Sequence, residues 1–183
     1  MYRPAEDTFF MEDIIKNYRG KFALEVGVGS GYLTRCLCTN FNFVIGTDVN
    51  FYSIVHAKDN TLFANNNKLL ICSDLGLALK AKFDLIISNP PYLPIDLEGE
   101  FVDDTIYGGK EGIEMTIRLL NSVLPLLDEK GKILLLRSSL SNTKKMDNLI
   151  GELFYNTRIL ARKKLFFESL EIMELSDAKN QCY

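Results

Sequence analysis

Short, almost unbroken apolar runs alternate along this chain with segments whose apolar residues recur at helical spacing. That alternation narrows the fold more than any other feature. Lys21–Val26 (KFALEV), Phe41–Thr47 (FNFVIGT), Lys68–Cys72 (KLLIC), Phe83–Ser88 (FDLIIS) and Lys132–Arg137 (KILLLR) read as strands. Tyr32–Thr39, Phe51–Ala64, Gly112–Leu127 and Asn142–Phe154 read as helices, the third with Ile113, Ile117, Leu120 and Leu124 on one stripe. Strands joined by helices imply an α/β fold whose parallel sheet is covered on both faces, and continuous apolar strands fit burial on both sides. Thr157–Lys163 and Ser169–Leu175 lie too close together for a parallel crossover, which takes about a dozen residues. They are expected to pair as an antiparallel hairpin at one end of the sheet. The 183 residues suit a single domain, 1–183. Its polar end, Ser176–Tyr183, is expected to fray.

Composition excludes several classes. No apolar stretch approaches the ~18 residues of a membrane span. The opening MYRPAEDTFF lacks the basic-then-apolar order of a signal peptide, so the expected location is the cytoplasm. Cys36, Cys38, Cys72, Cys182 and the single His56 show no metal-ligand spacing, so no metal site is expected and the cysteines read as small buried hydrophobes. A net charge of −3 argues against a dedicated nucleic-acid binder.

The first strand runs into Glu25-Val-Gly-Val-Gly-Ser-Gly31, which opens a helix. Gly27, Gly29 and Gly31 allow backbone to approach a ligand without a Cβ in the way. The spacing differs from the G-x-G-x-x-G of dinucleotide folds. Glu25 would repel a pyrophosphate and would suit a cation such as a sulfonium amino acid. Asp48 ends the second strand, where an acid accepts hydrogen bonds from ribose hydroxyls. Asp74 follows the third strand, where an adenine amino group could be met. Each acid alone could equally be a turn former; three acids at strand ends beside a glycine turn point to an adenosyl ligand.

Asn89-Pro-Pro-Tyr92 follows the fourth strand directly. Pro90 and Pro91 fix φ and remove two backbone donors, and Asn89, before a proline, is held extended. The exposed groups of so stiff a loop are mostly acceptors, the Asn89 side-chain oxygen and the Pro90 carbonyl. Together they can hold both hydrogens of a planar –NH2 group and favour the positive charge that develops as the nitrogen is alkylated. Tyr92 can stack on a flat amide or base.

Glu25–Gly31, Asp48, Asp74-Leu75 and Asn89–Tyr92 together resemble the HemK-type release-factor glutamine N5-methyltransferases. Tyr2-Arg-Pro-Ala-Glu-Asp-Thr-Phe9 looks like the Y-x-P-A-E-D-T-F opening of that family's archaeal and eukaryotic branch, and Gly108-Gly-Lys-Glu-Gly112 looks like its G-G-x-x-G turn. Arg162–Leu175 resembles its terminal hairpin. The resemblance implies a Rossmann-like class I methyltransferase fold with seven strands in the order 3-2-1-4-5-7-6. It implies S-adenosyl-L-methionine as cofactor, touched by Thr8, Glu25, Gly27, Gly29, Gly31, Asp48, Asp74, Leu75 and Asn89. It also implies that residues 1–20 close over the cofactor and that Asn89, Pro90, Pro91 and Tyr92 form the catalytic loop. The implied substrate is the glutamine of a Gly-Gly-Gln motif in a class-I translation termination factor. A small zinc-binding activator protein is the implied partner. In that strand order Lys68–Cys72 is an apolar edge without proline, the kind usually blunted or covered, so the activator is expected to dock there by strand pairing.

Asn-Pro-Pro-Tyr loops also serve adenine-N6 methyltransferases on DNA or RNA. Two features count against nucleic acid. No further domain for base extrusion is evident, and Leu93–Glu111 holds Asp96, Glu98, Glu100, Asp103, Asp104 and Glu111 against only Lys110, a net −5 that repels phosphate. Lys144-Lys145 and Arg162-Lys163-Lys164 read as solvated faces. Lysine methylation of a protein is secondary, because a charged lysine must first lose its proton and no dedicated base is evident.

Overall fold

The computed structural model describes residues 3–62, 64, 67–94 and 107–179. In chain order its elements are α1 (Glu6–Ile15), β1 (Gly20–Val26), α2 (Tyr32–Leu37), β2 (Phe41–Asp48), α3 (Phe51–Asn60), β3 (Lys68–Cys72), β4 (Phe83–Ser88) and β5 (Leu93–Pro94). There follow β6 (Tyr107–Gly109), α4 (Glu114–Val123), a 3-10 turn (Leu124–Leu126), β7 (Leu127–Ser138), α5 (Thr143–Leu153), β8 (Phe154–Lys164) and β9 (Ser169–Ala178).

Seven strands form one sheet in the order β3-β2-β1-β4-β7-β9-β8, which is the expected 3-2-1-4-5-7-6 when only these strands are counted. The first five in that order, β3 to β7, run parallel, and β9 pairs antiparallel with both β7 and β8. Successive side chains of a strand point to opposite faces, and here both faces are apolar. On β7, Ile133 and Leu135 join one buried cluster with α4 and α5, through Leu119, Leu120, Met146 and Ile150. Leu134 and Leu136 join the other, with Phe10, Met11 and Ile15 of α1 and Leu33 and Leu37 of α2. Helices therefore cover both faces, as the continuous apolar runs require.

Several boundaries differ from expectation. The stripe read as one helix from Gly112 to Leu127 stops at Val123, because Pro125 cannot continue a helix and turns the chain into β7. The expected fraying from Ser176 needs correction. Ser176 pairs with Lys132 on one side and Asn156 on the other, Ala178 pairs with Phe154, and the Lys179 N–H donates to the Leu153 carbonyl at 2.7 Å. Of the proposed tail only residues 180–183 lie outside the described residues. Cys38 is buried, but Cys72 is exposed on β3, so reading every cysteine as a core residue is also wrong; Cys182 lies outside the described residues.

The two ends of the sheet are unlike. β8 carries Arg158, Arg162, Lys163 and Lys164, charges that discourage edge pairing. β3 is bonded only to β2 among the described residues, and its Leu69 is 47% exposed. Among the described residues no helix is long and apolar enough to cross a membrane, and no cluster of His, Cys, Asp or Glu could hold a metal.

Candidate active site

A cavity of about 380 Å³ opens at the carboxyl ends of the strands. It straddles β1 and β4, where the strand order reverses and open α/β sheets bind ligands. Thr8, Glu25, Gly27, Gly29, Asp48, Asp74, Leu75, Asn89, Pro90, Pro91 and Tyr92 all line it. Gly31 is not among the lining residues. It caps α2 at φ 78°, and a Cβ there would lie 2.8 Å from the Ala57 Cα, so its bareness serves the close approach of α2 and α3.

The glycine turn is held by the acids around it. One Asp48 oxygen accepts from the Gly29 N–H at 2.9 Å and the other from the Asn50 N–H at 2.8 Å. A carboxylate has about four acceptor positions, so Asp48 can pin the turn and still receive a diol. At Gly27, with φ 83°, a Cβ would meet nothing within 4 Å; the cavity side of the turn is clear backbone. Glu25 is buried and accepts from the Thr34 hydroxyl. Burial pushes its carboxyl up to about 8; the Thr34 bond opposes this and the Asp48 charge adds to it. A cation bound beside Glu25 would favour the ionised form.

At the other end, one Asp74 oxygen accepts from the Arg118 guanidinium at 2.8 Å, a half-exposed pair that fixes the carboxylate and leaves its second oxygen for a ligand. Leu75 adopts φ 51°, a left-handed conformation that costs a non-glycine residue about 1 kcal/mol or more.

The Ser88 hydroxyl donates to the Val26 carbonyl at 2.8 Å, tying the ends of β4 and β1 together just before the proline loop. Asn89 then donates its amide N–H to Asp7 of α1 at 2.8 Å. Asn89 lines the cavity, and its Oδ1 is buried with no hydrogen-bond partner among the described residues. A buried acceptor left unpaired costs about 1–3 kcal/mol. Burial pushes the Tyr92 hydroxyl well above its usual range, helped by the Glu168 and Asp7 charges, so Tyr92 stays neutral.

Residues 7–167 match the profile of the Methyltransferase small domain family. The chain belongs to that family. A candidate protein N5-glutamine methyltransferase of Methanocaldococcus jannaschii is 34% identical to this methyltransferase over 178 residues, spanning 94% of this chain and 90% of the relative. The eRF1 methyltransferase catalytic subunit mtq2 of Schizosaccharomyces pombe is 26% identical over 160 residues, 72% of this chain and 69% of its own. Among solved structures, the E. cuniculi Mtq2–Trm112 complex, described as responsible for methylating the eRF1 translation termination factor, superposes with a TM-score of 0.77 at 25% identity. It covers 96% of this chain and 98% of the other. The resemblance to the HemK-type release-factor enzymes is therefore real, and the chain is an S-adenosylmethionine-dependent methyltransferase.

Three parts of the methyltransferase's site escape the sequence reading. Asp7 is one; it sits on a helix that the apolar pattern did not reveal. Glu168 is the second, lining the cavity from the β8–β9 turn and accepting from the Ser138 hydroxyl. The third is the role of the G-G-x-x-G turn. A Cβ on Gly108 would fall 2.4 Å from the Pro91 carbonyl oxygen, and one on Gly112 would fall 2.3 Å from that of Tyr92. The turn is bare because the Asn89–Tyr92 loop rests on it. Triple-glycine spacing just downstream of a proline loop was the available signal. Asp96, Glu98, Glu100, Asp103 and Asp104, read as an acidic rim, lie outside the described residues, as does Tyr2. Glu111 is described and pairs with Lys145; Arg162 pairs with Glu171 and Lys163 with Glu6, which fits solvated basic faces.

Proposed function

We propose that this methyltransferase places a methyl group on the side-chain amide nitrogen of the glutamine in the Gly-Gly-Gln motif of a class-I translation termination factor. The observation that carries the reading is the unpaired, buried Oδ1 of Asn89, a residue of the cavity wall. The acidic pocket and clear glycine turn fit S-adenosyl-L-methionine, which when bound supplies an electrophilic methyl on a sulfonium centre. Asp48 would hold the ribose, the free Asp74 oxygen and the Leu75 backbone the adenine, and Glu25, Thr8 and the Gly27–Gly29 turn the charged amino-acid end. Asn89 Oδ1 and the Pro90 carbonyl would each take one amide hydrogen of the acceptor, directing the nitrogen lone pair toward the cofactor. Both acceptors also stabilise the positive charge growing on that nitrogen. The surplus proton can leave after transfer, so no dedicated base is required. Tyr92 would pack on the flat amide. Chain 1–183 would act as one catalytic domain, with residues 1–20 forming a wall over the cofactor and the enzyme at work in the cytoplasm.

The same reading assigns an activator to β3. Its outer edge, bonded to no strand among the described residues, the half-exposed Leu69, and the nearby exposed Val49, Phe51 and Tyr52 form an apolar margin unlike the charged β8. A small zinc-binding protein pairing with Lys68–Cys72 would cover it. The test is mass spectrometry of a recombinant termination factor incubated with the enzyme, cofactor and activator, alongside an adenine-containing oligonucleotide. A 14 Da increment (one CH2) on the motif glutamine is expected on the order of stoichiometric yield, scaled as in a single-turnover reading. Label on the oligonucleotide and none on the protein would reject the assignment. Equal solubility and activity with and without the activator would reject the β3 partner.

A further inference from the structure

We propose that Asp7 is a positioning residue whose carboxylate locks the Asn89 amide in its acceptor-out orientation. The inference rests on Asn89 Oδ1 holding the acceptor group, and adds what commits the amide nitrogen to α1 and leaves that oxygen, and not the nitrogen, unpaired. A side-chain amide is nearly symmetric in shape, so a half-turn exchanges its oxygen and nitrogen at little steric cost. Flipped, Asn89 would present two N–H donors to an incoming –NH2 group, donor against donor. Asp7 forbids this flip. An ionised carboxylate only accepts, so the Asn89 edge that meets it must be the N–H2 edge, as found at 2.8 Å from Oδ2. Asp7 is itself held. Its other oxygen accepts from the Thr8 N–H at 2.7 Å, and the residue is 5% exposed. A charge-assisted bond is about twice as strong as a neutral one, and it polarises the amide so that Oδ1 becomes the better acceptor. The first turn of α1 thereby sets the chemistry of a loop 82 residues away in the chain.

The test compares Asp7→Asn with Asp7→Glu in the full chain, by methyl-transfer kinetics and cofactor titration. Asp7→Asn is nearly isosteric but offers both a donor and an acceptor, so Asn89 loses its fixed orientation. Turnover is expected to fall about 10- to 100-fold while cofactor affinity stays within about twofold, a split that a lost cofactor contact would not give. Asp7→Glu keeps an acceptor-only group and is expected to retain more turnover than Asp7→Asn, even if it melts lower. The reverse order, or a Kd that weakens in step with turnover, overturns the proposal. Asn89→Ala measured beside them separates the two readings. Normal turnover in that variant defeats the role of Asn89 itself, whereas a dead Asn89→Ala with an unaffected Asp7→Asn defeats only the lock.

Discussion

Gly112→Ala puts the support of the proposed catalytic loop, Asn89–Tyr92, to a direct test. The glycine sits at φ 71°, and the new Cβ would lie 2.3 Å from the Tyr92 carbonyl oxygen, with the Pro94 nitrogen at 3.2 Å. The left-handed backbone costs an L-residue about 1–2 kcal/mol. Ordinary carbon–oxygen contact begins near about 3.3 Å, so the Tyr92 peptide must retreat by about 1 Å, and two rigid prolines precede it. A 1 Å misplacement at a reacting centre costs about 100-fold. The glycine turn of the cofactor pocket belongs to a different loop, between β1 and α2, and makes no use of Gly112. Single-turnover methyl transfer should therefore slow about 100-fold, with cofactor affinity by calorimetry within about twofold of the parent. Gly151→Ala serves as control. It lies in α5 with open space around its missing Cβ, and should gain about 0.5–1 kcal/mol of stability at unchanged turnover. Near-parental turnover in Gly112→Ala would refute the idea that the loop rests on this turn.

Three further outcomes follow from the same geometry. Asn89→Ala should raise the transfer barrier by about 2–4 kcal/mol and leave cofactor binding largely intact, as read by calorimetry beside a turnover assay. Asp48→Ala should weaken the cofactor by about 1–3 kcal/mol, because it loses the ribose acceptor and frees the Gly29 N–H; an unchanged Kd would count against it. Glu25 should make binding pH-dependent. Its carboxyl is raised from 4.5 to about 8, so below about 8 it must give up a proton as a cation binds, and affinity should tighten by up to about tenfold per unit between pH 6 and 7.5, below the titration of the cofactor's own amino group. The sign for the free enzyme is opposite. The folded state holds this proton more tightly than the unfolded chain, so Glu25's contribution to stability is full below pH 4.5 and is lost as pH climbs toward about 8. In Glu25→Gln both dependences should flatten, which melting curves and titrations across that range would check.

The sheet was legible because its strands are buried on both sides. Leu24, Ile86, Ile87, Leu134 and Leu135 each sit at 0% exposure, and such burial writes continuous apolar runs into the sequence. The hairpin was legible from the short link between β8 and β9. The proline loop and the three strand-end acids were legible because their residue types are chemically unusual where they stand. Helix α1 was hidden because its buried side mixes Asp7 and Thr8 with Phe10, Met11 and Ile15, which weakens the apolar stripe. Asp7 could not be found by spacing, since only folding brings it to Asn89. The packing of Gly31 against Ala57 was hidden because a glycine that admits a ligand and one that admits a neighbouring helix look alike in sequence. Ser176–Ala178 are polar yet paired on both sides, a backbone property that composition does not report.

The most direct measurement of the central claim is a crystal structure with S-adenosylhomocysteine and a peptide carrying the Gly-Gly-Gln motif. The adenosyl group is expected in the Asp48–Asp74 cleft, the acceptor nitrogen hydrogen-bonded to Asn89 Oδ1, and room for a methyl group about 3–3.5 Å from that nitrogen on the line to sulfur. A nucleoside bound elsewhere, or an acceptor that leaves Asn89 Oδ1 without a partner, would contradict it.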